Sequence, residues 1–109
     1  MLTVFGSTAL DTIRTPTKVL KDVLGGAATF ASISASFFVK PRLIAVVGKD
    51  FPKKYHKILA ERLDLKGLSI KDGKTFRYSG SYDNTLSLRT TLRTDLNVLK
   101  NFKPVVPED

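Results

Sequence analysis

Asp11 and the pair Gly25-Gly26 are the residues whose types and surroundings lend themselves to chemistry. Asp11 follows Leu2-Thr3-Val4-Phe5, a short strand pattern closed by Gly6-Ser7. In α/β sheets ligands bind beyond the carboxyl ends of strands, and a carboxylate there accepts hydrogen bonds from sugar hydroxyls. An Asp in that place is also an ordinary turn residue. Two glycines at the mouth of a helix let the backbone approach a ligand closely, and the free N–H groups of the first turn attract anions or polar oxygens. Taken alone, Gly25-Gly26 reads better as a plain turn into a helix.

Other candidates are weaker. Asp50, after Gly48, suits a helix cap better than a ligand contact. His56 lies beside Lys53-Lys54 and reads as a solvent-exposed side chain rather than a general base. Gly73-Lys74-Thr75 imitates the end of a phosphate-binding loop, but that motif needs four residues between its glycines, and five separate Gly67 from Gly73. A hairpin turn is the better reading of Asp72-Gly73.

Composition removes whole classes of chemistry. The 109 residues contain no Cys, which excludes disulfides, a thiolate nucleophile and Cys-ligated metal. One His leaves neither a His-based metal cluster nor a Ser-His-Asp triad. No apolar run approaches a membrane span, and the N-terminus lacks the pattern of a secretory signal, so a cytoplasmic setting with no membrane partner is expected. The net charge of +8 favours polyanionic partners. Its one dense cluster is Lys49, Lys53, Lys54 and Lys57, with the rest scattered, so a solvated basic surface is expected rather than a nucleic-acid interface.

These residues need elements to hold them. Residues 11–14 and 17–24 read as extended pieces. After Gly26, the small residues together with Phe30, Ile33 and Phe37 at near-helical spacing predict a well-buried helix that ends by Pro41. Leu43-Ile44-Ala45-Val46-Val47 reads as a strand covered on both faces, as in a parallel sheet. Pro52 opens a second helix striped by Tyr55, Ile58, Leu59 and Leu63, with Gly67 as its terminator. Phe76, Tyr78 and Tyr82, then Leu86, Leu88 and Leu92, alternate with polar residues across the turn Asp83-Asn84, as two antiparallel strands do. The fold class is therefore α/β, a βαβ layer with a small antiparallel hairpin. Residues 103–109 look like the entry to another strand.

In this order the pieces resemble the N-terminal part of the PfkB, or ribokinase-like, carbohydrate kinase family. The residues that carry the resemblance are Val4-Phe5-Gly6-Ser7 with Asp11, and Leu24-Gly25-Gly26-Ala27-Ala28. With them go Ala45-Val46-Val47-Gly48-Lys49-Asp50-Phe51, Leu65-Lys66-Gly67-Leu68, and the hairpin over residues 75–93. The resemblance implies a Rossmann-type layer over about 1–70 and 98–109 and a lid hairpin over about 72–95, within one domain. It implies that Asp11, Gly25 and Gly26 bind a sugar or nucleoside, and that the lid forms a homodimer contact. For a complete family member it implies ATP with Mg2+. The family's common Asn, five residues after the first glycine, is Phe30 here. Its second signature, Gly-Ala-Gly-Asp, carries the catalytic base, and no Gly-x-Gly-Asp occurs in this chain. The expected function is thus the substrate side of an ATP-dependent sugar or nucleoside kinase without its catalytic residue, so that the isolated chain would be inactive. A non-catalytic sugar-binding or dimerising module ranks second, and a basic nucleic-acid binder third.

Overall fold

A computed structural model describes residues 1–85 and 87–108. The chain runs β1 (Thr3–Phe5), β2 (Ala9–Arg14), β3 (Val19–Gly25), α1 (Ala27–Ala35), β4 (Arg42–Gly48), α2 (Lys53–Arg62), β5 (Asp64–Lys71), β6 (Phe76–Tyr82) and β7 (Arg89–Asp95), then a 3₁₀ turn at Asn97–Asn101. Two sheets result. A parallel sheet has the order β1-β4-β5, and a second sheet has the order β3-β2-β6-β7. In the second sheet only β2 and β6 are parallel. The predicted hairpin is the β6-β7 half of this sheet, and β2 and β3 form its other half. Leu86 lies outside the described residues.

The apolar run at Leu43 sits at the centre of the parallel sheet, as expected, and every residue of β4 is buried. Alternation divides that strand between two faces. Leu43, Ala45 and Val47 join Leu10, Ala28, Leu59 and Leu63 in one cluster under the helices. Both crossovers progress in the same direction along the order β1-β4-β5, so right-handed connections place α1 and α2 on that one face. At the start of β4, buried Arg42 reaches Asp64 of β5 at 2.9 Å and donates to the Pro107 carbonyl at 3.1 Å. A hydrogen bond from the Lys66 amide, opposed in part by burial and reinforced by Arg42, holds the Asp64 carboxyl below its ordinary value.

Three details differ from the sequence reading. The helix α1 does not bury its phenylalanines. Its buried residues are Ala28, Thr29 and Ser32, while Phe30 and Phe37 are 59% and 67% exposed. Small side chains let the helix backbone approach the strands, and this turns the large ones outward. Gly67 does not end α2, which stops at Arg62. It lies within β5, where a Cβ would sit 2.7 Å from the Ile44 side chain. Asp72-Gly73 is not a hairpin turn. β5 and β6 belong to different sheets, and these residues carry the chain between them.

Leu59 and Ile58 are neighbours on α2, one fully buried and the other 44% exposed. Leu59→Ala is expected to cost about 2–5 kcal/mol, and Ile58→Ala within about 0.5 kcal/mol, as read from urea denaturation midpoints.

Candidate functional site

Register brings the predicted residues together. Ala9 pairs with Gly25 and with Phe76, and Asp11 pairs with Val23 and with Tyr78. Directly paired residues share a face, so Asp11, Gly25, Phe76 and Tyr78 lie on one side of the second sheet. Gly25 is needed there because a Cβ would lie 2.1 Å from the Asp11 carboxylate. Gly26 follows at φ +100°, a conformation that side chains resist, and its Cβ would lie 2.5 Å from the Ser7 carbonyl oxygen. The chain passes from β1 to β2 through Ser7, directly against the start of α1.

The first turn of α1 is less available than expected. Ala27 N–H donates to Ser7 Oγ at 3.0 Å, and Ala28 N–H donates to the Ser7 carbonyl at 3.0 Å. Below them the Thr29 hydroxyl donates to the Thr8 hydroxyl in the core. These amides fasten the helix to the β1-β2 crossing.

A recess of about 300 Å³ opens over this junction. Ser7, Asp11, Gly26, Phe30, Phe76, Tyr78 and Arg89 line it. Burial pushes the Asp11 carboxyl above its ordinary value, and the charge of Arg89 opposes the shift. The Arg89 guanidinium lies 5.4 Å from the centre of the Tyr78 ring. A partly desolvated carboxylate beside two glycine backbones can accept hydrogen bonds from neighbouring hydroxyls of a polyol. A larger groove of about 710 Å³ lies between β5 and the 3₁₀ turn, and none of the predicted site residues lines it.

Asp50 does something else. The N-cap of α2 is Pro52, without a side-chain cap bond. Asp50 instead accepts from the Thr75 amide at 2.8 Å, the Thr75 hydroxyl at 2.7 Å and Arg77 at 3.0 Å. Arg77 also pairs with Asp22. Burial would raise the Asp50 carboxyl, but these bonds outweigh it and hold it below its ordinary value. Thr75 in turn accepts from the Gly48 amide at 3.0 Å. The Gly73-Lys74-Thr75 segment is therefore a tie between the two sheets. His56 is half-buried on α2, away from the recess. Among the described residues, no three His, Asp or Glu side chains gather to hold a metal, and no helix is long and apolar enough to cross a membrane.

Sequence reasoning missed Arg89, Phe76 and Tyr78 as recess residues, because strand pairing between distant segments brings them there. Thr75, Arg77 and Asp22 were missed for the same reason.

No protein-family model matches the chain. A cytidine kinase of Thermococcus kodakarensis is 34% identical over 82 residues, which cover 74% of this chain and 30% of that protein. The nucleoside kinase of Methanocaldococcus jannaschii, an archaeal member of the ribokinase family, matches 91% of this chain and 38% of its own. Its TM-score is 0.70 at 23% identity. The fold is ribokinase-like. A ribokinase of Cryptococcus neoformans var. grubii, in complex with ADP, matches 88% of this chain and 34% of its own, with a TM-score of 0.74 at 16% identity. The chain spans about a third of the length of these proteins.

The Asp11 carboxyl is expected to titrate above its ordinary value in a carbon-13 NMR pH series. Arg89 favours the charged carboxylate, so Arg89→Met is expected to move the midpoint higher still. A midpoint at or below the ordinary aspartate value would contradict the buried placement.

Proposed function

We propose that this chain is the acceptor-binding side of a phosphotransferase that moves the γ-phosphate of ATP to a hydroxyl of a sugar or nucleoside. The observation that carries this reading is that Asp11 and Gly26 line one recess, with Gly25 packed directly against the Asp11 carboxylate, since these are the residues the family resemblance assigns to the substrate. The related proteins, a cytidine kinase, a nucleoside kinase and a ribokinase bound to ADP, support the same chemistry.

Asp11 would accept hydrogen bonds from two neighbouring hydroxyls and so orient the acceptor. The glycines at 25 and 26 make room for the Asp11 carboxylate and the Ser7 carbonyl, and so set where that carboxylate sits. Transfer also needs a base for the attacking hydroxyl's proton and donors for the phosphate. The donor set here does not fit that task. The sequence holds no Gly-x-Gly-Asp, the described residues bring no three acidic or His side chains together, and Ser7 already occupies two first-turn amides of α1. On this reading ATP, its Mg2+ and the catalytic base are supplied by the parts of a ribokinase-like kinase that this chain does not match.

The expected outcome is no phosphate transfer when the purified chain is mixed with magnesium–ATP and candidate sugars or nucleosides. Turnover is expected on adding the remaining two thirds of a ribokinase-like kinase, and Asp11→Asn should weaken acceptor binding by about tenfold. Transfer by the 109 residues alone overturns the reading.

The second sheet also fits a homodimer contact, because Val19 and Leu20 of β3 and Leu92 of β7 are exposed on its two edge strands. Leu92→Lys is expected to shift a dimer toward monomer in sedimentation equilibrium, and an unchanged mass would count against that contact.

A further inference from the structure

The geometry points to a nucleoside, rather than a free sugar, as the acceptor that the Asp11 recess selects, with Phe30 as the residue that makes the selection. This rests on the acceptor-site reading and goes beyond it in naming the substrate class.

The argument starts from which polar groups at the recess are still available. The Ser7 hydroxyl accepts from the Ala27 amide. The Tyr78 hydroxyl is bonded to Thr91 Oγ1 at 2.9 Å. Asp11 and Arg89 are the two charged side chains that line the recess. One carboxylate suits one pair of neighbouring hydroxyls. A free pentose or hexose carries hydroxyls around its whole ring, and those beyond the first pair would have to share the Arg89 guanidinium and the Ser7 hydroxyl, while any that face the rings stay unpaired, which is costly.

The remaining wall is aromatic. Phe30 is 59% exposed although it is large and apolar, and it lines the recess with Phe76 and Tyr78. Phe30 rides on the first turn of α1, whereas Phe76 and Tyr78 stand on β6, so the rings approach from two different elements. Rings placed so, beside a polyol-binding carboxylate, suit a ligand that is polar at one end and flat at the other. A nucleoside has that shape. Its ribose diol would meet Asp11, and its base would stack on the rings. Arg89, a donor-only side chain at the same mouth, suits a base with a carbonyl or ring-nitrogen acceptor.

The test is equilibrium binding of cytidine, inosine and ribose to the 109-residue chain, followed by NMR shift changes, with a thermal melt of every variant. Stacking on an aromatic side chain predicts that the nucleosides bind at least about tenfold tighter than ribose. Phe30→Asn is expected to cut that ratio to about threefold or less by weakening nucleosides. Phe30→Leu, which stays apolar but loses the ring, should weaken nucleosides without helping ribose. Asp11→Asn should weaken both ligand classes and leave their ratio unchanged. If ribose binds as tightly as the nucleosides, or if Phe30→Asn leaves the ratio unchanged, the selection by Phe30 is wrong while the acceptor site stands. If a chain that melts cooperatively binds none of the three, both readings fall.

Discussion

Ser7 closes the first turn of α1 with its hydroxyl and its carbonyl oxygen, and both sheets meet at that contact. The parallel sheet ends there through β1, the second sheet begins there through β2, and the helix that covers the core starts there. The contact demands glycine at position 26, because any side chain would strike the Ser7 carbonyl. It also sets the phase of β2, so that Asp11 faces Gly25 while Leu10 goes into the core. A one-residue slip would bury the carboxylate and expose the leucine. The candidate site and the start of the core are thus two sides of one register.

A second tie crosses between the sheets on the far side of the core. Thr75 links Gly48 of β4 to Asp50, and Arg77 of β6 joins Asp50 to Asp22 of β3. Asp22 reaches Arg77 because it sits in a bulge of β3 at φ +55°, where the pairing with β2 shifts between Asp11 and Ile13. The bulge re-aims its carboxylate, as strand bulges commonly do. The recess side of the second sheet is therefore fixed by the Ser7 contact and its other side by an ionic network. That network spans elements that are separate in sequence, and Arg77 joins two carboxylates from different strands and loops through it.

Much of this was legible in the residues. The continuous apolar run from Leu43 to Val47 announced a doubly covered strand, and its full burial follows from the same physics. Asp11 with Gly25-Gly26 was singled out by the family resemblance, since taken alone each of these residues reads as an ordinary turn residue. What stayed hidden depends on pairing between distant segments. Nothing local marks Arg77 as the partner of both Asp22 and Asp50, and the Pro after Asp50 suggested a cap. The parallel pairing of β2 with β6 was hidden too, since Asp72-Gly73 reads as a turn whether it joins two strands of one sheet or carries the chain between two sheets. The phenylalanines of α1 misled for a different reason. Their spacing matched a buried stripe, but close approach selected the small residues Ala28, Thr29 and Ser32 for the inner face.

The two faces of the parallel sheet are covered by different kinds of element. The face with Leu43, Ala45 and Val47 is covered by α1 and α2. The face with Val46 is met by the 3₁₀ turn and the segment after it, where Val98, Phe102 and Val105 line the larger groove and Val105 stays 74% exposed. Ile44 and Val46 are as fully buried on this face as Leu43, Ala45 and Val47 are on the other. The Asp11 recess shares no lining residue with that groove. Its floor rests on Ser7, Gly26 and the first turn of α1, all anchored to the helix-covered face. The recess and the groove are therefore separate features, one seated at the start of α1 and the other on the opposite face of the parallel sheet.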